Sequence, residues 1–411
     1  MKYCLIGEKL GHSYSVEVHS AMGLDYSLRE LQKSQLDEFI KDDSINGFNV
    51  TIPYKKDVLS YVDFYDKNVE ATGVVNTVLK REGKLYGYNT DIGGMTYMLS
   101  RKNVSLHNKN VLILGSGGTS KTACALAKLQ GAKSLKTVSR SGEINYENCY
   151  DLKDTEIIIN TTPVGMFPNI YLKPVDLSRF SSLVAVFDCI YNPFTTELLA
   201  QAKELNLICS DGLPMLVEQA LLAEDIWVGE KHDTSVSEKL IRSLRKSKSN
   251  LVLYGMPSCG KSTLGRLLAE ELGRKFVDLD EYITKNQGRT PSQIISSDGE
   301  KTFREIESLA VSEVAKLNGT VISLGGGSVL NPLSVNALKK NGVLIYVKRN
   351  LDLLSVENRP LSATKGVEKI YKERKSIYES IGDAEIENNK AIKDALKEII
   401  KVYEIACNKW C

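Results

Sequence analysis

A chain of 411 residues, 42% hydrophobic and 25% charged, has the composition of a soluble globular protein with room for two or three domains, each able to bury a core. The net charge of +2 gives no electrostatic reason to expect nucleic acid or a membrane surface as a partner. No apolar run approaches the ~18 residues of a membrane span, and no signal-peptide apolar region follows Met1. The eight cysteines include no C-x-x-C pair, which argues against a zinc site or a disulfide framework and fits reduced thiols in a cytoplasmic location.

In chain order, Lys2 to Gly7 reads as a strand that stops at a glycine, and Gly11-His12-Ser13-Tyr14-Ser15 leads into a helix through Met22. Polar clusters then follow strand-like runs: Asn49-Val50-Thr51-Ile52-Pro53-Tyr54-Lys55, Val75-Asn76-Thr77, and Gly87-Tyr88-Asn89-Thr90-Asp91. In α/β folds such positions carry ligand-binding loops. Singly, each has a plainer reading. Ser13 and Ser15 suit helix caps, Lys55 and Lys56 suit a surface, and Asn76 and Asp91 suit turns.

Asn110 to Leu114 is a buried-strand run. It opens into Gly115-Ser116-Gly117-Gly118-Thr119-Ser120, a helix from Thr122 to Leu129, and a strand from Leu135 to Ser139. This is a βαβ dinucleotide-binding unit with Ser120 in the place of the third glycine. An NAD-specific unit has an acid at the end of its second strand. Here Arg140 stands there between Ser139 and Ser141, with Glu143 close by. A guanidinium suits a 2′-phosphate, so the expected cofactor is NADP(H). Further strand-and-loop units follow at Glu156–Met166 and Ala185–Pro193, and Ser210-Asp211-Gly212 opens a long helix.

The stretches GHSYS, NVTIPYK, VVNT, GYNTD, GSGGTSK, NTTPVGM, DCIYNP and DGLPMLVEQA, in that order over nearly all of residues 1–240, resemble shikimate dehydrogenase. The resemblance implies that Ser13, Ser15 and Thr51 bind the carboxylate region of the substrate. It implies that Asn76, Tyr191 and Gln219 hold ring hydroxyls or the carboxylate, and that Lys55 with Asp91 is the catalytic pair. Gly115, Gly117, Gly118, Arg140 and Gly212 would serve NADP(H). Val16 stands where this family usually has proline after HSxS.

Leu240 to Asn250 reads as a helix end running into a short basic linker, residues 244–250. Next comes Asn250-Leu251-Val252-Leu253-Tyr254, followed by Gly255-Met256-Pro257-Ser258-Cys259-Gly260-Lys261-Ser262 and a helical run from Thr263 to Leu272. Strand, G-x-x-x-x-G-K-[ST] and helix in that order form a phosphate-binding loop. Converging N–H groups and the helix N-terminus hold phosphate oxygens, the lysine reaches the outer phosphates, and the serine hydroxyl ligates Mg²⁺. Gly255, Gly260, Lys261, Ser262 and Thr263 are therefore the expected ATP contacts. Asp278 and Asp280 follow on what reads as a strand, two apart and so facing one side. Arg304 lies on an expected helix, and Gly325-Gly326-Gly327 ends a strand from Thr320 to Leu324.

GMPSCGKST, DLD, FRE, LGGGSV, RPL and the arginine before SIY resemble shikimate kinase, a compact relative of the nucleoside-monophosphate kinases, over about residues 250–390. The resemblance implies Asp278 near the metal with Ser262. It implies that Asp280, Arg304, Gly326, Gly327 and Arg374 hold shikimate, with Asp280 orienting or deprotonating the attacking hydroxyl. Arg359 on a mobile lid would neutralise charge on the transferring phosphoryl group.

The expectation is an α/β chain: a substrate domain (1–105, completed by a helix at about 215–243), a Rossmann domain (106–214), a linker (244–250) and a P-loop kinase domain with a parallel sheet (251–411). It would reduce 3-dehydroshikimate with NADPH and phosphorylate shikimate with ATP and Mg²⁺, acting on small molecules without nucleic acid or membrane, as a monomer or homodimer. A pairing of an NAD-using quinate/shikimate-type dehydrogenase with a kinase of other acceptor specificity stays open, as does a binding protein with inactive sites.

Overall fold

The computed structural model describes residues 1–11, 13–354 and 366–409. The chain parts into two compact units, Met1–Ile241 and Arg242–Cys411.

The first unit begins with β1 (Lys2–Gly7), α1 (Ser15–Ala21), β2 (Asp25–Glu30), α2 (Leu36–Ile40), β3 (Gly47–Val50), β4 (Phe64–Tyr65), α3 (Lys67–Thr72), β5 (Thr77–Arg81), β6 (Lys84–Tyr88) and α4 (Asp91–Ser100). These strands form a mixed sheet in the order β2-β1-β3-β5-β6-β4. β1 is parallel to β2 and β3, and β5 runs antiparallel to β3 and β6. Strand periodicity explains the nearly continuous apolar run of β1. Cys4 and Ile6 face one core with Phe48 and Val78, while Tyr3 and Leu5 face another with Tyr26 and Trp227.

A second sheet follows, built from β7 (Asn110–Leu114), α5 (Gly118–Leu129), β8 (Ser134–Val138), β9 (Ile157–Asn160), β10 (Ala185–Asp188), α6 (Glu197–Glu204) and β11 (Ile208–Ser210). It is wholly parallel in the order β11-β10-β9-β7-β8. The chain moves outward from β7 to β8 and then returns to β9, which creates a topological switch point at the carboxyl end of β7. Then α7 (Leu213–Val228) crosses back to the first sheet, where the Trp227 indole N–H donates to the Val78 carbonyl at 3.0 Å.

The residues read as a linker are ordered otherwise. α8 (Thr234–Lys248) is unbroken, and β12 (Asn250–Tyr254) begins after Ser249 alone. Leu240, Ile241 and Leu244 are buried at helical spacing while Arg242, Ser243 and Ser247 stay exposed, and the buried side of the helix also takes in Arg245.

The second unit continues with α9 (Lys261–Leu272), β13 (Phe276–Asp278), α10 (Leu279–Gln287), α11 (Pro291–Val314), β14 (Val321–Ser323), α12 (Pro332–Lys339), β15 (Gly342–Lys348), α13 (Val367–Ile381), β16 (Ala384–Glu387) and α14 (Ile392–Lys409). The sheet order is β13-β14-β12-β15-β16, all parallel. β12 is central and buried along its whole length, as its apolar run requires.

The expectation that Asp278 and Asp280 share a strand is corrected. β13 ends at Asp278, whose side chain caps α10 by accepting the Asp280 and Glu281 N–H groups at 3.0 and 3.3 Å. An aspartate able to cap ends a strand and starts a helix, so Asp280 lies in the first helical turn.

Candidate active sites

In the first unit a cavity of about 680 Å³ is lined by loops of both sheets and by α7. Lys55, five residues past β3, donates from Nζ to Asp91 Oδ2 at 2.6 Å. Asp91 is the first residue of α4, where the helix dipole favours a carboxylate. Its Oδ1 accepts the Asn76 Nδ2 at 2.9 Å. Asn76 is itself oriented, since its Oδ1 accepts the Thr90 N–H at 2.8 Å. The lysine and aspartate side chains are 15% and 8% exposed, so the pair is mostly shielded from water. The arrangement is a positioned proton donor held by a carboxylate with both oxygens engaged.

Ser13, Ser15, Thr51, Asn76, Tyr191 and Gln219 all line this cavity. The Ser13 hydroxyl donates to Ser15 Oγ at 3.0 Å and accepts the Ser15 N–H at 3.2 Å. Gln219 Oε1 lies 3.4 Å from Asn76 Nδ2. Burial pushes the Tyr191 phenol up to about 12, which keeps it a neutral donor. The wall offers an anion hydroxyl and amide groups.

The glycine turn adjoins the same cavity. Gly115 has φ +108°, and Gly117 caps α5 ahead of Gly118. A Cβ on Gly118 would lie 3.8 Å from Lys55 Cδ, so the glycine turn abuts Lys55. Ser120 donates to the Gly115 carbonyl at 2.7 Å and so closes the turn with its side chain. Exposed Arg140 lies two residues past β8, whose last residue, Val138, accepts the Gly115 N–H at 2.8 Å. Gly212 also lines the cavity, and a Cβ there would meet the Cys189 carbonyl at 2.2 Å. Sequence reasoning missed Asn49, Met166 and Cys189 on the same wall. Asn49 lies inside the quoted NVTIPYK stretch, and its amide is held by Tyr26 and Thr77 at 2.7 and 3.0 Å.

In the second unit the phosphate loop takes backbone shapes that favour glycine, with φ +145° at Gly255 and +100° at Gly260. Lys261, the first residue of α9, donates from Nζ to the Gly255 and Met256 carbonyls at 3.1 and 2.9 Å. Asn388, just past β16, donates to the Cys259 carbonyl at 2.8 Å and braces the loop. Thr263 is exposed in the first turn of α9. Ser262 donates to Asp278 Oδ2 at 2.6 Å, with Ser323 Oγ at 3.4 Å from Ser262 Oγ. These are hard oxygen donors beside the loop, a set that fits Mg²⁺ shared with phosphate oxygens. A cavity of about 330 Å³ lies alongside, lined by Met256, Tyr346, Arg349, Tyr371 and Asn389 among others. Its planar and amide groups suit a nucleotide base. Met256, Arg349 and Asn389 come from loops, Tyr346 from β15 and Tyr371 from α13, so no linear motif announces them.

Around the triple glycine the expected acceptor residues converge. A Cβ on Gly325 would lie 3.1 Å from Asp280 Oδ1, and one on Gly327 would lie 2.2 Å from Arg304 Nη1. Arg374, 7% exposed, donates to the Gly326 carbonyl at 2.8 Å, and the Tyr378 hydroxyl donates to the same oxygen. Glu307 was missed. Buried, it accepts Arg304 Nη1 at 2.6 Å and the Ser328 hydroxyl at 2.6 Å. Its spacing of three from Arg304 on a helix was the available signal. Arg359 lies outside the described residues.

The seven described cysteines are free thiols, and no described helix is long and apolar enough to cross a membrane.

Comparison with known proteins finds a family match in each unit. The model of the shikimate dehydrogenase substrate binding domain matches residues 5–78, and that of shikimate kinase matches residues 257–404. The shikimate dehydrogenase (NADP(+)) of Clostridium perfringens is 36% identical over 263 residues, covering 59% of this chain and 97% of the relative. That of Methanococcus maripaludis is 37% identical over 266 residues, covering 58% and 95%. Among solved structures, shikimate dehydrogenase 1 from Peptoclostridium difficile is 37% identical with a TM-score of 0.55, covering 59% of this chain and 97% of its own. The Thermus thermophilus shikimate 5-dehydrogenase in complex with NADP(H) and shikimate is 26% identical with a TM-score of 0.54, covering 59% and 99%.

Proposed function

From the premise that this chain belongs to the shikimate dehydrogenase family and carries a shikimate kinase domain, a bifunctional enzyme of the shikimate pathway, we propose that it reduces 3-dehydroshikimate to shikimate with NADPH and then phosphorylates that shikimate with ATP. The observation that carries the reading is that each unit gathers its expected chemistry at one place. Lys55 and Asp91 stand on the wall of a hydroxyl-lined cavity, and a phosphate loop lies beside the Asp280, Arg304 and Arg374 cluster.

Bound NADPH supplies the hydride. The Lys55 ammonium gives a proton to the carbonyl oxygen of the ring ketone as that oxygen becomes a hydroxyl, and Asp91 keeps the ammonium aimed. Ser13, Ser15 and Thr51 hold the carboxylate, while Asn76, Tyr191 and Gln219 fix the ring. Gly115, Gly117, Gly118 and Gly212 admit the dinucleotide backbone, and Arg140 takes the 2′-phosphate.

In the second unit Gly255, Gly260, Lys261 and Thr263 cradle the ATP phosphates. Ser262 and Asp278 would hold Mg²⁺, which spreads phosphate charge when bound. Arg304, Arg374 and the Gly326-Gly327 backbone hold the shikimate anion. Asp280 orients the attacking hydroxyl and accepts its proton. Arg359 steadies the transferring group.

Incubation with 3-dehydroshikimate, NADPH, ATP and Mg²⁺, followed by mass analysis, tests the whole scheme. Shikimate 3-phosphate should accumulate, and shikimate alone when ATP is omitted. Accumulation of unphosphorylated shikimate in the complete mixture would remove the proposed acceptor.

A further inference from the structure

Behind the first cavity lies a buried carboxyl group that the chemistry above does not use. Asp188, the last residue of β10, is wholly buried. Its Oδ1 accepts the Asn160 Nδ2 at 3.0 Å and the Ile190 N–H at 3.1 Å, and its Oδ2 accepts the Thr196 hydroxyl at 2.7 Å. With the Asn160 amide nitrogen committed to Asp188, its oxygen faces the next turn, where it accepts the Thr162 N–H and hydroxyl at 3.0 and 2.7 Å. That turn delivers Met166 to the cavity wall. The Ile190 bond fixes the loop that delivers Cys189 and Tyr191, and the Gly212 N–H donates to the Ile190 carbonyl at 2.9 Å.

We infer that Asp188 is a positioning residue of the dehydrogenase, its carboxylate setting the spacing of the Asn160–Met166 and Cys189–Tyr191 loops so that one cavity takes a nicotinamide ring and an anionic ring substrate together. This rests on the dehydrogenase reading of the cavity. The ionised form of the carboxyl satisfies all three groups bonded to it; a proton on Oδ1 would set donor against the Asn160 and Ile190 N–H groups, and one on Oδ2 would force the Thr196 hydroxyl to turn from donor to acceptor. Among the elements packed on it, β9 brings only isoleucines ahead of Asn160. β11 brings Cys209 with Asp211 just beyond its end, and α6 brings Thr196 ahead of Glu197. Burial lifts the carboxyl to about 7, the Asp211 charge adds to the lift, and the three hydrogen bonds oppose it. The spacing described here therefore belongs to the ionised carboxylate, and protonation as pH falls through that value removes its acceptor from the Thr196 hydroxyl and resets that spacing.

The test uses the full chain, with kcat and KM for shikimate and NADP⁺ measured on both sides of neutrality. Asp188→Asn should lower kcat/KM roughly tenfold or more, raise both KM values and abolish the acid limb of the profile, with the kinase rate unchanged. Thr196→Val removes one donor to the carboxylate and should move the acid limb upward, while Thr196→Ser restores it. If Asp188→Asn yields no folded protein, the Thr196 pair still decides. Wild-type kcat/KM in Asp188→Asn, or an acid limb indifferent to Thr196→Val, overturns the positioning role. A wild-type chain inert toward shikimate and NADP⁺ at every pH overturns the cavity assignment beneath it.

Discussion

The guanidinium of Arg304 fills the space a side chain on Gly327 would need, since a Cβ there would lie 2.2 Å from Arg304 Nη1. Buried Glu307 accepts the same Arg304 Nη1 at 2.6 Å and holds it in that place. Gly327→Ala should therefore displace the arginine from the proposed acceptor pocket. A lost charge-assisted contact of about 1.5–3 kcal/mol corresponds to a rise of roughly 10- to 100-fold in the kinase KM for shikimate. The KM for ATP should stay near wild type. Steady-state kinetics with each substrate varied would check this, and an equal rise in both constants would mean that the glycine serves the fold rather than the acceptor.

Removing the Lys55 ammonium takes away the proposed proton donor and leaves Asp91 without its 2.6 Å partner. Lys55→Ala should lower dehydrogenase kcat by about 10²- to 10⁴-fold, the span of positioned acid–base catalysis. Kinase turnover should persist because Lys55 belongs to the other compact unit. Parallel assays on one preparation would read both, and a matching fall in kinase rate would contradict two independent sites.

The converse holds for the phosphate loop. Lys261 lies against the Gly255 and Met256 carbonyls at 3.1 and 2.9 Å, poised beside the phosphate position. Lys261→Ala should abolish measurable phosphoryl transfer while NADP-linked turnover continues. Asp278→Asn weakens the oxygen pair with Ser262 and should raise the Mg²⁺ concentration needed for half-maximal kinase rate. A Mg²⁺ titration unchanged by Asp278→Asn would place the metal elsewhere.

Arg140 stands exposed beyond β8, next to the strand that leads into the glycine turn. Arg140→Ala should raise the KM for NADPH by roughly tenfold or more and leave that for NADH almost unchanged, since only the former carries the 2′-phosphate. Comparison of the two reduced cofactors would check it. Proportional losses would show that the arginine does not discriminate between them.

Much of this was legible because glycine patterns and strand periodicity are local. The β12 run, the Gly255–Ser262 loop and α9 follow from adjacent residues, as do β7 and the turn at Gly115. Errors arose where one residue serves two elements. Asp278 both ends β13 and caps α10, so a period-two reading carried the strand too far. The largely polar stretch 244–250 resembled a linker because the apolar side of α8 shows only in the spacing of Leu240, Ile241 and Leu244. Side chains that work through others, Glu307 behind Arg304 and Asp188 behind Asn160, belong to contacts 3 and 28 residues apart, and no catalytic motif names them.

The cavity of the first unit meets its expected carboxylate with hydroxyls, the Ser13–Ser15 pair at 3.0 Å among them, whereas the second unit offers the guanidinium groups of Arg304 and Arg374. A hydroxyl can donate to or accept from a neutral amide, but a guanidinium only donates, and it does so best to an anion. Shikimate analogues with a carboxamide in place of the carboxylate should therefore remain ligands of one half of the chain and fail at the other. The unlike chemistry of the two walls makes this protein separable by small molecules, one activity silenced while its neighbour runs.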